Sequence, residues 1–185
     1  MKKMILAMCG TAVVVAGCAN DTMKATMHPE VDQPTITSTR ADWRNPYGPG
    51  WEDLTGKDAE AVATAALTKL CEHTATELDR GEAYKRLNGV VTPDLWQRMV
   101  DNPQSIVQWI PAPVWEDWAS HGGTQTAHVS VTDEEHPADT EESWARKMVC
   151  ERHLSGIESP VMDTYLVVAE KSDGVWKLSR LELLS

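Results

Sequence analysis

The sequence predicts an α+β domain, with N-terminal helices packed on a curved antiparallel sheet of about five strands. Three observations carry that expectation. Apolar residues recur at helical spacing from about residue 55 to residue 100. After Pro113 the apolar period falls to two. Near the end, Lys171-Ser172-Asp173-Gly174 joins two alternating runs, and Asp-Gly in that position is a hairpin signal. Helices first and hairpin-linked strands afterwards is the α+β order, not the alternation of a parallel sheet.

The helical part begins where Thr55 or Asp58 can cap the segment AEAVATAALTKLCEHTATEL. Leu67, Leu70, Cys71, Thr74 and Leu78 share one face of that helix, so Cys71 points inward. A second short helix covers Glu82 to Leu87. Thr92-Pro93-Asp94 opens a third, with Thr92 as cap, Pro93 in the first turn and Leu95, Trp96 and Met99 as its apolar stripe. Pro103, Pro111 and Pro113 punctuate the next stretch, with a helical turn over 104–110.

The strands then come in order. Val114 to Ser120 reads as the first, placing Trp115 and Trp118 on opposite faces, and His121-Gly122-Gly123 reads as a turn. Thr124 to Thr132 alternates, with Ala127, Val129 and Val131 on one face and Thr126, His128 and Ser130 on the other. An acidic loop, DEEHPADTEE, separates it from the longest strand, Ser143 to Leu154, whose inward face carries Trp144, Met148, Cys150 and Leu154 and leaves His153 opposite. Asp163 to Glu170 and Val175 to Leu184 form the last hairpin.

Ahead of this domain the chain has a different character. Lys2 and Lys3 precede an uncharged stretch over 4–17, too short to span a bilayer as a permanent helix, which takes ~20 apolar residues. A charged start, a short apolar core and small residues at its end make residues 1–17 a secretory signal. Val15-Ala16-Gly17-Cys18 resembles the lipobox of bacterial lipoproteins. That resemblance implies cleavage before Cys18, acylation of its thiol and an extracytoplasmic protein held to a bacterial membrane by lipid. Two or three acyl chains give the stable anchoring that one cannot. Residues 18–53 are polar and rich in Thr, Pro and Asp, a tether averaging ~30–35 Å end to end as a flexible coil. Within it, Trp43, Tyr47 and Trp51 of WRNPYGPGW are expected to pack back onto the domain, with a partner-binding segment as the alternative. Residues 54–185 form the single extracytoplasmic domain.

The net charge of the 185-residue chain is −11, and loss of Lys2 and Lys3 makes the remainder more negative still. Such a protein repels phosphate backbones and anionic lipid heads, which disfavours nucleic acid as a partner and leaves membrane attachment to the acyl chains. Of four cysteines, Cys9 leaves with the leader and Cys18 takes lipid. Cys71 and Cys150 remain as an even pair in an oxidising compartment and are expected to form a disulfide. The ~80-residue loop so closed would contribute ~4–5 kcal/mol at most. A Cys/His metal site lacks the close CxxC or HxxxH spacing it needs.

The element order, with the closing YLVVAEKSDGVWKLSRLEL, resembles the nuclear-transport-factor-2-like superfamily, a cone-shaped α+β fold, and a cystatin-like sheet is the nearest rival. The superfamily includes isomerases and cyclases that place a proton acceptor of tuned pKa in a dry pocket. That implication makes Asp79, Tyr84, Asp94 and His128 the pocket candidates, with His153 behind them, although none stands in a recognisable motif. His121, His128, His136 and the acids of DEEHPADTEE are the only metal candidates, and they read as solvated surface. A disulfide between helix and sheet would fill and stiffen the cone. The expected function is therefore a non-enzymatic binding or scaffolding module of the cell envelope, with no cofactor, an envelope protein as partner, and a monomeric or dimeric state. Trp115 and Trp118 in VWEDW are the interface candidates. The alternative is a small-molecule-binding or isomerase-type enzyme using the cone pocket.

Overall fold

The computed structural model describes residues 44–77, 81–107 and 110–184. The fold is α+β: three helices and a curled, five-stranded antiparallel sheet in which neighbours in sequence are neighbours in space, β1-β2-β3-β4-β5. The strands are β1 (His73–Thr74), β2 (Thr124–Val131), β3 (Ser143–Leu154), β4 (Val161–Ser172) and β5 (Val175–Leu183). Helix α1 (Ala59–Cys71) lies across the sheet and touches β2, β3, β4 and β5. Helices α2 (Pro93–Asp101) and α3 (Ala112–Ser120) follow.

Local chemistry starts each helix. The Asp58 carboxylate accepts from Ala61 N at 2.9 Å and caps α1. The Thr92 hydroxyl accepts from Leu95 N at 3.3 Å, with Pro93 in the first turn of α2, as its missing N–H allows. Ala59, Val62, Ala63, Ala66, Leu67 and Leu70 are the buried face of α1. Met148, Cys150, Tyr165, Val167, Ala169 and Leu178 meet that layer from the sheet, each no more than 1% exposed. The final hairpin turns at Asp173 and Gly174, both with positive φ, the conformation a two-residue turn requires.

Two expectations are corrected. The segment 114–120 is not a strand but the middle and end of α3. Pro111 and Pro113 start a helix there, and a seven-residue window is too short to tell a period of two from one of 3.6. The helix from Asp58 stops at Cys71 rather than running to Leu78: Glu72 is extended, and His73 and Thr74 pair with Gln125 and Thr124 as the missing first strand. The second short helix is a 3-10 turn, Ala83–Leu87.

Of the aromatic residues in the WRNPYGPGW segment, Tyr47 and Trp51 join the core at 4% and 6% exposure. Trp51 Nε1 donates to Asn88 O at 2.9 Å. Gly89, at φ +92°, sits so close beneath the Tyr47 carbonyl that a Cβ there would collide with it. Trp43 lies outside the described residues.

Candidate functional site

Strand β3 sends alternate side chains under α1: Trp144, Arg146, Met148, Cys150 and Arg152. Arg146 stands near one end of that row and Arg152 at the other. Arg146 reaches outward to Asp139 through two bonds of 2.7 Å and covers the Trp144 ring. Arg152 is buried, and its Nε lies 2.6 Å from the Asp163 carboxylate of β4, itself only 1% exposed. Arg152 also donates to Gln125 Oε1 at 3.3 Å, and the Gln125 amide donates to the Cys71 carbonyl at the end of α1. One polar cluster thus ties the helix C-terminus, where carbonyls lack helical partners, to three strands.

Burial dominates the ionisation of this cluster. It raises the Asp163 carboxyl above its usual range, and Arg152 and the Tyr165 hydroxyl offset it only in part. Burial likewise raises the Tyr165 phenol. Cys71 and Cys150 are held as free thiols, buried and joined by a side-chain hydrogen bond. That bond first, and burial second, raises the Cys71 thiol, so it is not a ready thiolate nucleophile. The two cysteines are thus one candidate pair that the structure brings side by side.

A second polar group lies where β1, the Ala83–Leu87 turn and α3 meet. The His73 ring stacks on Trp115 at 6.0 Å and meets Trp118 edge-on at 6.2 Å, and the two indoles are 5.2 Å apart. Trp115 and Trp118, three apart on a helix, share a face and are half-buried rather than divided between two faces. Trp118 rests on Gly123, where a Cβ would strike its ring. Burial pushes the His73 pKa down to about 4, helped by the charges of Arg86 and Arg152 and opposed by Glu77.

The other pocket candidates face different surroundings. Tyr84 packs on Trp96 at 5.8 Å. Asp94 is exposed in the first turn of α2, on the rim of a groove of about 980 Å³ that it shares with Arg98, Asp101, Arg180 and Glu182. His128 and His153 are exposed on the outer face of the sheet. Asp79, like Cys18, lies outside the described residues. Among the described residues no three His, Cys, Asp or Glu side chains gather as a metal site would require. His73, Arg86, Gln125, Arg152 and Asp163 carry no sequence signal that singles them out. Period-two counting along β3 places Arg152 inside, beside Cys150, but nothing local names Asp163 as its partner. No family model, curated protein or solved structure matches the chain.

The His73 shift has a signed consequence. A histidine in the unfolded chain takes a proton near pH 6.5, and His73 in the fold only near pH 4. The unfolded state therefore binds more protons in that window, so the stability contributed by neutral His73 is present above pH ~6.5 and is lost as pH falls towards 4. Urea midpoints between pH 4 and 7 should fall more steeply on acidification for the native chain than for His73→Phe. Parallel profiles would contradict this.

Proposed function

We propose that this chain is a membrane-anchored lipoprotein of the bacterial cell envelope whose domain works by binding rather than by catalysis. The observation that carries the binding reading is the filled space between α1 and the sheet. Leu67, Leu70, Met148, Cys150, Tyr165, Val167 and Leu178, each no more than 1% exposed, occupy the place where a cone-shaped enzyme keeps its substrate. Tyr84, Asp94 and His128 lie on separate elements: Tyr84 packs on Trp96 against the core, while Asp94 and His128 are exposed. Helix α1 laid across a curled antiparallel sheet supports the resemblance to the nuclear-transport-factor-2-like superfamily. The lipobox-like Val15-Ala16-Gly17-Cys18 supports the anchor. Among the described residues no helix is long and apolar enough to cross a membrane.

In this reading the Cys71 and Cys150 thiols, already side by side, are oxidised after export. Two measurements bear on it. Radiolabelled palmitate should be incorporated by the native chain and absent from Cys18→Ala, and label retained by the variant would sink the anchor. The exported, unreduced chain, denatured before reaction with a thiol reagent, should show no free thiol. Two reactive thiols per chain would remove the disulfide.

A further inference from the structure

Three side-chain nitrogens around the His73 recess are buried and have no hydrogen-bond partner: His73 Nδ1, Arg86 Nε and Trp118 Nε1. They come from three elements, β1, the Ala83–Leu87 turn and α3. An unmet buried polar group is costly, and folded proteins keep few of them. Two of them neighbour the His73 ring that carries the third: Trp118 lies against it, and the charge of Arg86 acts on it. The Arg86 guanidinium already has one carboxylate, with Nη1 3.1 Å from Glu77, so its Nε is the position left over.

The unmet atoms share one chemistry. Indole Nε1 and guanidinium Nε can only donate, and imidazole Nδ1 donates in one of its neutral tautomers. With His73 in its Nδ1–H tautomer all three are donors, and a carboxylate answers them as an acceptor with two oxygens. Beside it the half-buried Trp115 offers an apolar face.

The covering element is lightly held. No residue of α3 is buried, no side chain caps its N-terminus, and it runs between Pro111 and the pair Gly122-Gly123, with Gly122 at φ +67°. Trp115 and Trp118 are the ring contacts it makes with β1, both on His73. Entry of a small ligand would require α3 to lift from the recess, and a segment with few buried residues is the kind that opens at low cost.

We propose that the recess beneath α3 binds the carboxylate of a small organic acid, which accepts from Trp118 Nε1, Arg86 Nε and His73 Nδ1 while its apolar body lies against Trp115. The proposal rests on the binding reading of the domain and names the chemistry of its ligand.

The test tracks the indole N–H resonance of Trp118 in the full chain carrying Cys18→Ser, with nitrogen-15 in its indoles, during titration with acetate, benzoate and benzyl alcohol. Acetate and benzoate should shift that resonance saturably, with benzoate binding about tenfold tighter through its buried ring. Benzyl alcohol, with the ring and no carboxylate, should leave it in place. Arg86→Gln should weaken benzoate binding at least about tenfold, the loss expected for a hydrogen bond to a charged acceptor. Gly123→Ala keeps every donor but unseats Trp118, and should weaken it similarly, read at the His73 ring. No saturable shift with either acid up to about 50 mM, a concentration at which even millimolar sites fill, would overturn the proposal and leave the recess to bound water. An equal response to benzyl alcohol would overturn it too. Either outcome removes the carboxylate site and leaves the anchored module standing. Failure of acylation at Cys18 removes the anchor and leaves this titration untouched.

Discussion

The contact between Arg152 and Asp163 is the constraint on which the inner face of this fold depends. Each is a charge taken out of water, and each would be expensive there alone. Together they fix the register of β3 against β4, because Cys150 pairs with Asp163 and only the inward neighbour, Arg152, can reach across to it. Through Gln125 the pair extends to β2, and through the Cys71 carbonyl to the end of α1. The charge of Arg152 also reaches His73, where it helps to keep the ring neutral. The same group that closes the core thus adds, after burial and Arg86, to the forces that keep His73 neutral.

Much of the fold is legible in the sequence because it rests on local signals. Residues Thr124 to Thr132 alternate cleanly, and the strand there runs Thr124–Val131; Ser143 to Leu154 is a strand with the bounds expected. Asp-Gly at 173–174 makes the hairpin because glycine accepts the positive φ the turn needs. Asp58 and Thr92 cap helices with the oxygen chemistry that makes them candidates. The first strand escapes a local reading for a physical reason. His73 and Thr74 become a strand only because β2 offers a partner edge fifty residues later, and no local pattern reports that. Trp115 and Trp118 stand on a helix rather than across a strand, which turns two opposed rings into one face.

The site is less legible, and for a related reason. Period-two counting puts Arg152 on the inward face, but its role is hidden until its partner is known, and Asp163 lies on another strand. Cys71 and Cys150 can be placed together from the sequence because the lipoprotein reading, which sets aside Cys9 and Cys18, leaves only those two. Arg86, His73 and Trp118 belong to three unrelated segments, and what unites them is three unmet nitrogens in one place. A filled interior and a polar recess beside it divide the labour of the domain: the first holds the shape, and the second offers the chemistry for a ligand.

The measurement that tests this account most directly is a double-mutant cycle on urea unfolding with Arg152→Met, Asp163→Leu and the pair together. Either single change strands a buried charge and should cost about 3–5 kcal/mol. The double variant, with two apolar side chains in the same space, should cost clearly less than the two single losses combined, leaving a coupling of at least about 2 kcal/mol. Losses that add, with no coupling, would contradict the claim that this pair organises the inner face of the sheet.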